Sequence, residues 1–193
     1  MIVSQKLHSE YRTSLDAVHK KIMSIQVDMK NKNQRKSWGR AMVAYDCLED
    51  SIDAILEFDY LNDRAYAAPR PILYYYGILQ AFSIQVEALK QLNLFFHGEV
   101  EKRTNNKESI VNVRNDIVHS CNKNGKESCF IAKSYNMEIG CLWYGIYGND
   151  GTFDEKMINL REASLKQIQM VCCQLKSFSS IPKEQIYFYK TLQ

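Results

Sequence analysis

The chain predicts a mainly α fold: an antiparallel helical bundle of about five helices with a small β-hairpin inserted between the fourth and fifth helices. Three observations carry that expectation. Apolar residues recur at alternating steps of four and three over most of the chain, the repeat of a helix that buries one face. Between about 128 and 148 the repeat shortens to two, the period of a half-covered strand. Only three prolines interrupt 193 residues, so few helix interiors are broken.

Tyr11, Leu15, Val18, Ile22, Ile25 and Met29 place a first helix at about 5–30 with one buried face. A polar loop through Trp38 should follow. Ala41, Tyr45, Leu48, Ile52 and Ile55 continue the pattern in a second helix, with Asp46, Glu49, Asp50 and Asp53 outside, ending before Asn62. Pro69 and Pro71 then break the repeat, because neither donates a backbone hydrogen bond and each disfavours helix in the residue before it. From Ile72 to about Phe96 apolar residues (Leu73, Tyr76, Leu79, Phe82, Val86, Leu89, Leu92, Phe95) fall on more than one side, as in a central third helix, and Gly98 ends it. Ser109 to His119 forms a shorter fourth helix, with Ile110, Val113, Ile117 and Val118 inward. Cys129–Ala132 and Ile139–Tyr144 make the hairpin, and Asn149-Asp150-Gly151 a turn. Thr152 and Glu155 have the spacing of a capping box for a fifth helix, in which Leu165, Ile168, Val171, Cys172, Leu175 and Phe178 pack inward. A C-terminal tail of uncertain order runs over about 179–193.

At this length a single domain spanning 1–193 buries roughly 70% of its unfolded surface and needs no staples. A composition 46% hydrophobic and 24% charged excludes disordered and fibrous classes. The six cysteines show no CxxC spacing and no histidine at a finger-like interval, so they read as reduced thiols rather than metal ligands. With no apolar signal core after Met1 and no 18-residue apolar run, the expected protein is soluble and cytoplasmic, without a membrane partner. No Gly-rich phosphate loop, Ser/His/Asp order or carboxylate cluster for magnesium stands out, and no cofactor is expected. The net charge of +3 is too small to announce nucleic-acid binding, yet basic residues crowd into loops: Lys30, Lys32, Arg35 and Lys36; Lys102, Arg103 and Lys107; Lys123 and Lys126.

The last two groups bracket Arg114-Asn115-Asp116-Ile117-Val118-His119, where a permanent cation and a group titrating near neutrality stand close together in a polar setting. Such a pair can act on a phosphodiester. Asn115 and His119 are four apart, about 40° around a helix, so the amide can orient the imidazole. Arg114 and His119 are five apart, about 140° around the axis. Either the arginine reaches around a distorted helix end, or each residue meets its partners across a dimer. Glu87 reads as a solvated acid and His97 as a helix-end residue; Tyr74-Tyr75-Tyr76 and Trp143, Tyr144 and Tyr147 read as packing groups.

Arg114-Asn115-x-x-x-His119, together with the long third helix through Leu79-Gln80-Ala81-Phe82-Ser83-Ile84-Gln85-Val86-Glu87-Ala88-Leu89, resembles the HEPN superfamily of helical domains over roughly residues 40–180. The resemblance implies a metal-independent endoribonuclease acting on RNA as a homodimer, with two motifs facing across a cleft. His119 would be general base or acid in attack by the ribose 2′-hydroxyl, Arg114 would hold the scissile phosphate, and Asn115 would fix the histidine. Lys102, Arg103, Lys107 and Lys123 are the candidate substrate-binding cations. Many similar proteins are toxins or phage-defence effectors restrained by an antitoxin or regulatory partner. The alternative is a non-catalytic HEPN binding module that pairs with a nucleotidyltransferase or another regulator.

Overall fold

The computed structural model describes residues 4–65, 71–99, 113–115, 117, 121–123, 127–131, 141–148 and 150–190. Helix α1 spans Gln5–Met23, α2 Lys32–Ala65 and α3 Pro71–His97; residues 113–115 and 117 are helical and are written α4. Strands β1 (Cys121–Lys123), β2 (Glu127–Ile131), β3 (Cys141–Gly148) and β4 (Phe153–Asn159) precede α5 (Leu160–Ser180). A short 3₁₀ turn at Lys183–Gln185 and a one-turn α6 at Tyr187–Lys190 follow. The protein is thus mainly helical, with antiparallel β structure between α4 and α5, as the sequence predicts. Among the described residues no helix is long and apolar enough to cross a membrane.

The helix ends differ from the periodicity reading because side-chain caps override it. Ser4 Oγ accepts from Leu7 N at 3.2 Å and starts α1. That helix stops at Met23 rather than near residue 30, and the chain turns where Asp28 Oδ1 accepts from Lys30 N at 2.9 Å. Ile25 stays buried, but Met29, expected on the buried face, is 55% exposed. The expected loop through Trp38 is helix: Asn31 Oδ1 accepts from Asn33 N (3.0 Å) and Gln34 N (3.2 Å), capping α2 seven residues before Trp38. Helix α2 also continues past Asn62. Pro71 opens α3 at a position where its missing N–H is not needed, and Gly98, at φ +78°, closes it with N–H donation to Leu94 O. Leu73 is 62% exposed, so it does not share the burial of Leu79, Phe82, Leu89, Leu92 and Phe95.

The expected hairpin is the β2–β3 pair, which sits at the centre of a four-stranded antiparallel sheet ordered β1-β2-β3-β4. Thr152 does not begin a helix. Asp150 Oδ1 accepts from its N–H (3.0 Å) and hydroxyl (2.6 Å), holding a tight turn with Gly151 at φ +80° that leads into β4. Those bonds also hold the Asp150 carboxyl below its usual range. The α5 cap is Asn159, whose Oδ1 accepts from Glu162 N at 3.1 Å.

The chain divides into two compact units: 1–2, 54–83 and 105–166; and 3–53, 84–104 and 167–193. In the first, Leu142, Tyr144 and Ile146 alternate along β3 and are buried, as are Ile55, Ile78, Leu79, Phe82, Val113 and Ile117. Strand β4 is an exposed edge whose Asp154, Glu155 and Lys156 discourage further pairing.

In the second unit α1 and α2 run antiparallel. Arg12 pairs with Glu49 and Asp53 near one end, and the His19 ring stacks on Tyr45 at 4.4 Å toward the other. The described part of the tail, up to residue 190, is packed in place. Ile186 and Phe188 are buried, the Phe188 ring lies 5.3 Å from that of Phe95, and Lys21 Nζ donates to the carbonyls of Ser179 and Ile181. Among the described residues, Cys47, Cys141, Cys172 and Cys173 are not in disulfides.

Candidate functional site

Helix α4 presents two faces. Val113 and Ile117, four residues apart, are buried, while Arg114 and Asn115 beside them are half-buried. Burial of the valine and isoleucine fixes the rotation of this short segment, and that rotation sends the arginine to the polar side.

There Arg114 Nη1 donates to Asn115 Oδ1 at 3.0 Å and Nη2 donates to Gln80 Oε1 on α3, also at 3.0 Å. Both acceptors are neutral amide carbonyls, and the two bonds together orient the guanidinium plane. All three residues belong to the first compact unit.

No family model, curated protein or solved structure matches the chain. The argument for a site therefore rests on its own residues. Of those expected from the sequence, the structure brings Arg114 and Asn115 together. The Asn115 carbonyl accepts from Arg114, and the His119 that its amide is expected to orient lies outside the described residues. His119, Lys102, Arg103 and Lys107 lie outside the described residues, as do Ile110 and Val118; Lys123 is described through its backbone, at the end of β1.

Gln80 is the residue that sequence reasoning missed. It sits in the stretch that resembles the HEPN third helix, and a glutamine between Leu79 and Ala81 on a helix with several apolar sides was the available signal. The other candidates have structural partners. Glu87 is exposed and pairs with Lys90, and His97 lies against the Phe178 ring at 5.9 Å. Tyr75 is buried, as a packing role requires, and Tyr74 and Tyr76 are half-buried. Among the described residues no three His, Cys, Asp or Glu side chains gather where a metal ion could be held.

Proposed function

We propose that the protein is an endoribonuclease of HEPN type that cleaves RNA without a metal ion, in the cytoplasm, as a homodimer restrained by an antitoxin or regulatory protein. The observation that supports this reading is the fixed guanidinium of Arg114, held by Gln80 and Asn115 beside the Arg-Asn-x-x-x-His motif.

In this reaction the ribose 2′-oxygen attacks the adjacent phosphorus, a P–O bond to the 2′-oxygen forms, and the bond to the 5′-oxygen breaks. His119 takes the 2′-hydroxyl proton or gives one to the departing 5′-oxygen, and an imidazole with a pKa of about 6.5 can do either near neutrality. Arg114 holds the nonbridging oxygens and stabilises the charge that grows on them. Asn115 and Gln80 keep the guanidinium in one plane, so the substrate does not have to order it. The products are a 2′,3′-cyclic phosphate and a 5′-hydroxyl.

Incubation of the purified protein with mixed RNAs in EDTA should give those ends. His119→Ala should lose roughly a hundred- to ten-thousand-fold in rate while keeping its circular dichroism. Arg114→Lys should also be poor, since an ammonium lacks the planar fork. Gln80→Leu should slow cleavage by releasing one arm of the guanidinium, with no effect on folding beyond the loss of a surface hydrogen bond. Cleavage that needs magnesium and leaves 5′-phosphates, or that survives loss of His119, would sink the proposal. A wild type inert toward varied RNAs would transfer the site to the binding-module reading.

A further inference from the structure

Within the unit made of 3–53, 84–104 and 167–193, α2 and α3 flank a half-open pocket of about 130 Å³. Asn33, Lys36, Ser37 and Arg40 line it from α2, and Gln91 and Phe95 from α3. Phe95 is buried, whereas Asn33, Lys36 and Arg40 are exposed, so the pocket has an apolar wall and a polar, solvent-facing side. Lys36 and Arg40 stand one turn apart and share a helix face, an arrangement of like charges that destabilises a helix unless something neutralises it.

Among the described residues neither cation makes a hydrogen bond or ion pair, and no carboxylate lines the pocket. Elsewhere in the same unit Arg12, Lys90 and Lys176 each have a carboxylate partner, whereas Lys20, like Lys36 and Arg40, has none among the described residues. Around the two free charges are the groups an oxyanion needs: the Asn33 and Gln91 amides and the Ser37 hydroxyl can all donate.

We infer that this pocket binds a phosphate monoester or inorganic phosphate through Lys36 and Arg40. Size favours a single phosphoryl group. At about 130 Å³ the pocket is well below the roughly 300 Å³ of those that enclose whole small molecules, and its open side leaves the rest of a monoester in solvent. Charge favours a monoester, whose phosphoryl group carries roughly −1.5 to −2 near neutrality and so matches two cations, where a carboxylate or a phosphodiester brings only one charge. The arginine adds a bidentate fork and the lysine a point charge.

The test titrates the full chain with inorganic phosphate at constant ionic strength, followed by calorimetry or amide chemical shifts. Saturation at one equivalent is expected. Lys36→Gln and Arg40→Gln should each weaken binding by roughly tenfold to a hundredfold, the worth of one charge-assisted hydrogen bond. Lys20→Gln, an exposed charge on α1, should leave it unchanged. A nucleoside 5′-monophosphate that competes would extend the site to phosphorylated small molecules, and one that does not would confine it to the free ion. The readout is phosphate binding alone, which keeps this result separate from that of the cleavage assay. A titration that never saturates, or one weakened equally by Lys20→Gln and Lys36→Gln, would overturn the assignment.

Discussion

The Leu48 carbonyl accepts two hydroxyls inside the second unit, Tyr11 at 2.8 Å and Ser51 at 3.0 Å, and the Gln85 side chain lies beside them fully buried. These residues have unequal claims on stability. Tyr11→Phe removes a donor but leaves the carbonyl bonded to Ser51, so a loss of only about 0.5–1.5 kcal/mol is expected in urea unfolding. Neither amide atom of Gln85 meets hydrogen-bond geometry, although the side chain lies near enough to the Tyr11 phenol to act on it, and a buried amide left unpaired costs about 1–3 kcal/mol. Gln85→Met, close in shape and free of polar atoms, should therefore be at least as stable as the parent. A clear loss on that substitution would mean the amide is bonded after all. At Arg114 amides are instead spent on holding a cation, and if the proposed function holds, its loss should lower turnover more than stability.

Two asparagines decide where the long elements begin. Asn31 starts α2 and Asn159 starts α5, each by accepting a backbone N–H two or three residues on. Asn159→Ala should cost about 0.5–2 kcal/mol, read as a lower urea midpoint with an unchanged slope. Thr152→Ala, by comparison, should disturb only the turn between β3 and β4. This contrast also explains how far the elements were legible. The apolar repeat in Tyr11, Leu15, Val18 and Ile22, or in Ile168, Val171, Leu175 and Phe178, located the helices correctly, because burial selects one residue per turn. It could not locate their ends, which depend on individual hydrogen bonds, and Thr152 with Glu155 had the same spacing as Asn159 with Glu162. Strand β4 escaped notice because both of its faces are largely exposed and Phe153-Asp154-Glu155-Lys156-Met157 has no alternation to read. At the candidate site, Arg114 and Asn115 were visible as a motif. Gln80 was not, because its role arises from a meeting across 34 positions that no local pattern encodes.

For the molecule as a whole, alkaline pH should be the weak side of its stability range. Burial raises the Tyr11 phenol above its ordinary value of 10, and burial, reinforced by the Glu10 charge, pushes the Cys172 thiol from 9 up to about 11. A raised pKa means the folded protein holds protons that the unfolded chain releases sooner, so the stability these groups confer is complete below about pH 9. It is lost for the thiol as pH climbs from 9 toward 11, with the phenol adding to the loss above 10. Urea midpoints should fall between about pH 8 and pH 10, and Cys172→Ala should flatten that fall. The same slope in both proteins would remove the thiol from the account. A different consequence follows from Lys21, which reaches from α1 to the carbonyls of Ser179 and Ile181, and from Phe188, which lies against Phe95. The second unit is assembled from stretches at 3–53, 84–104 and 167–193, so during synthesis its first helix leaves the ribosome long before the residues that cover it exist. For most of translation the apolar face of Tyr11, Leu15, Val18 and Ile22 has only part of its eventual cover, and a chain released early keeps that face for whatever meets it first.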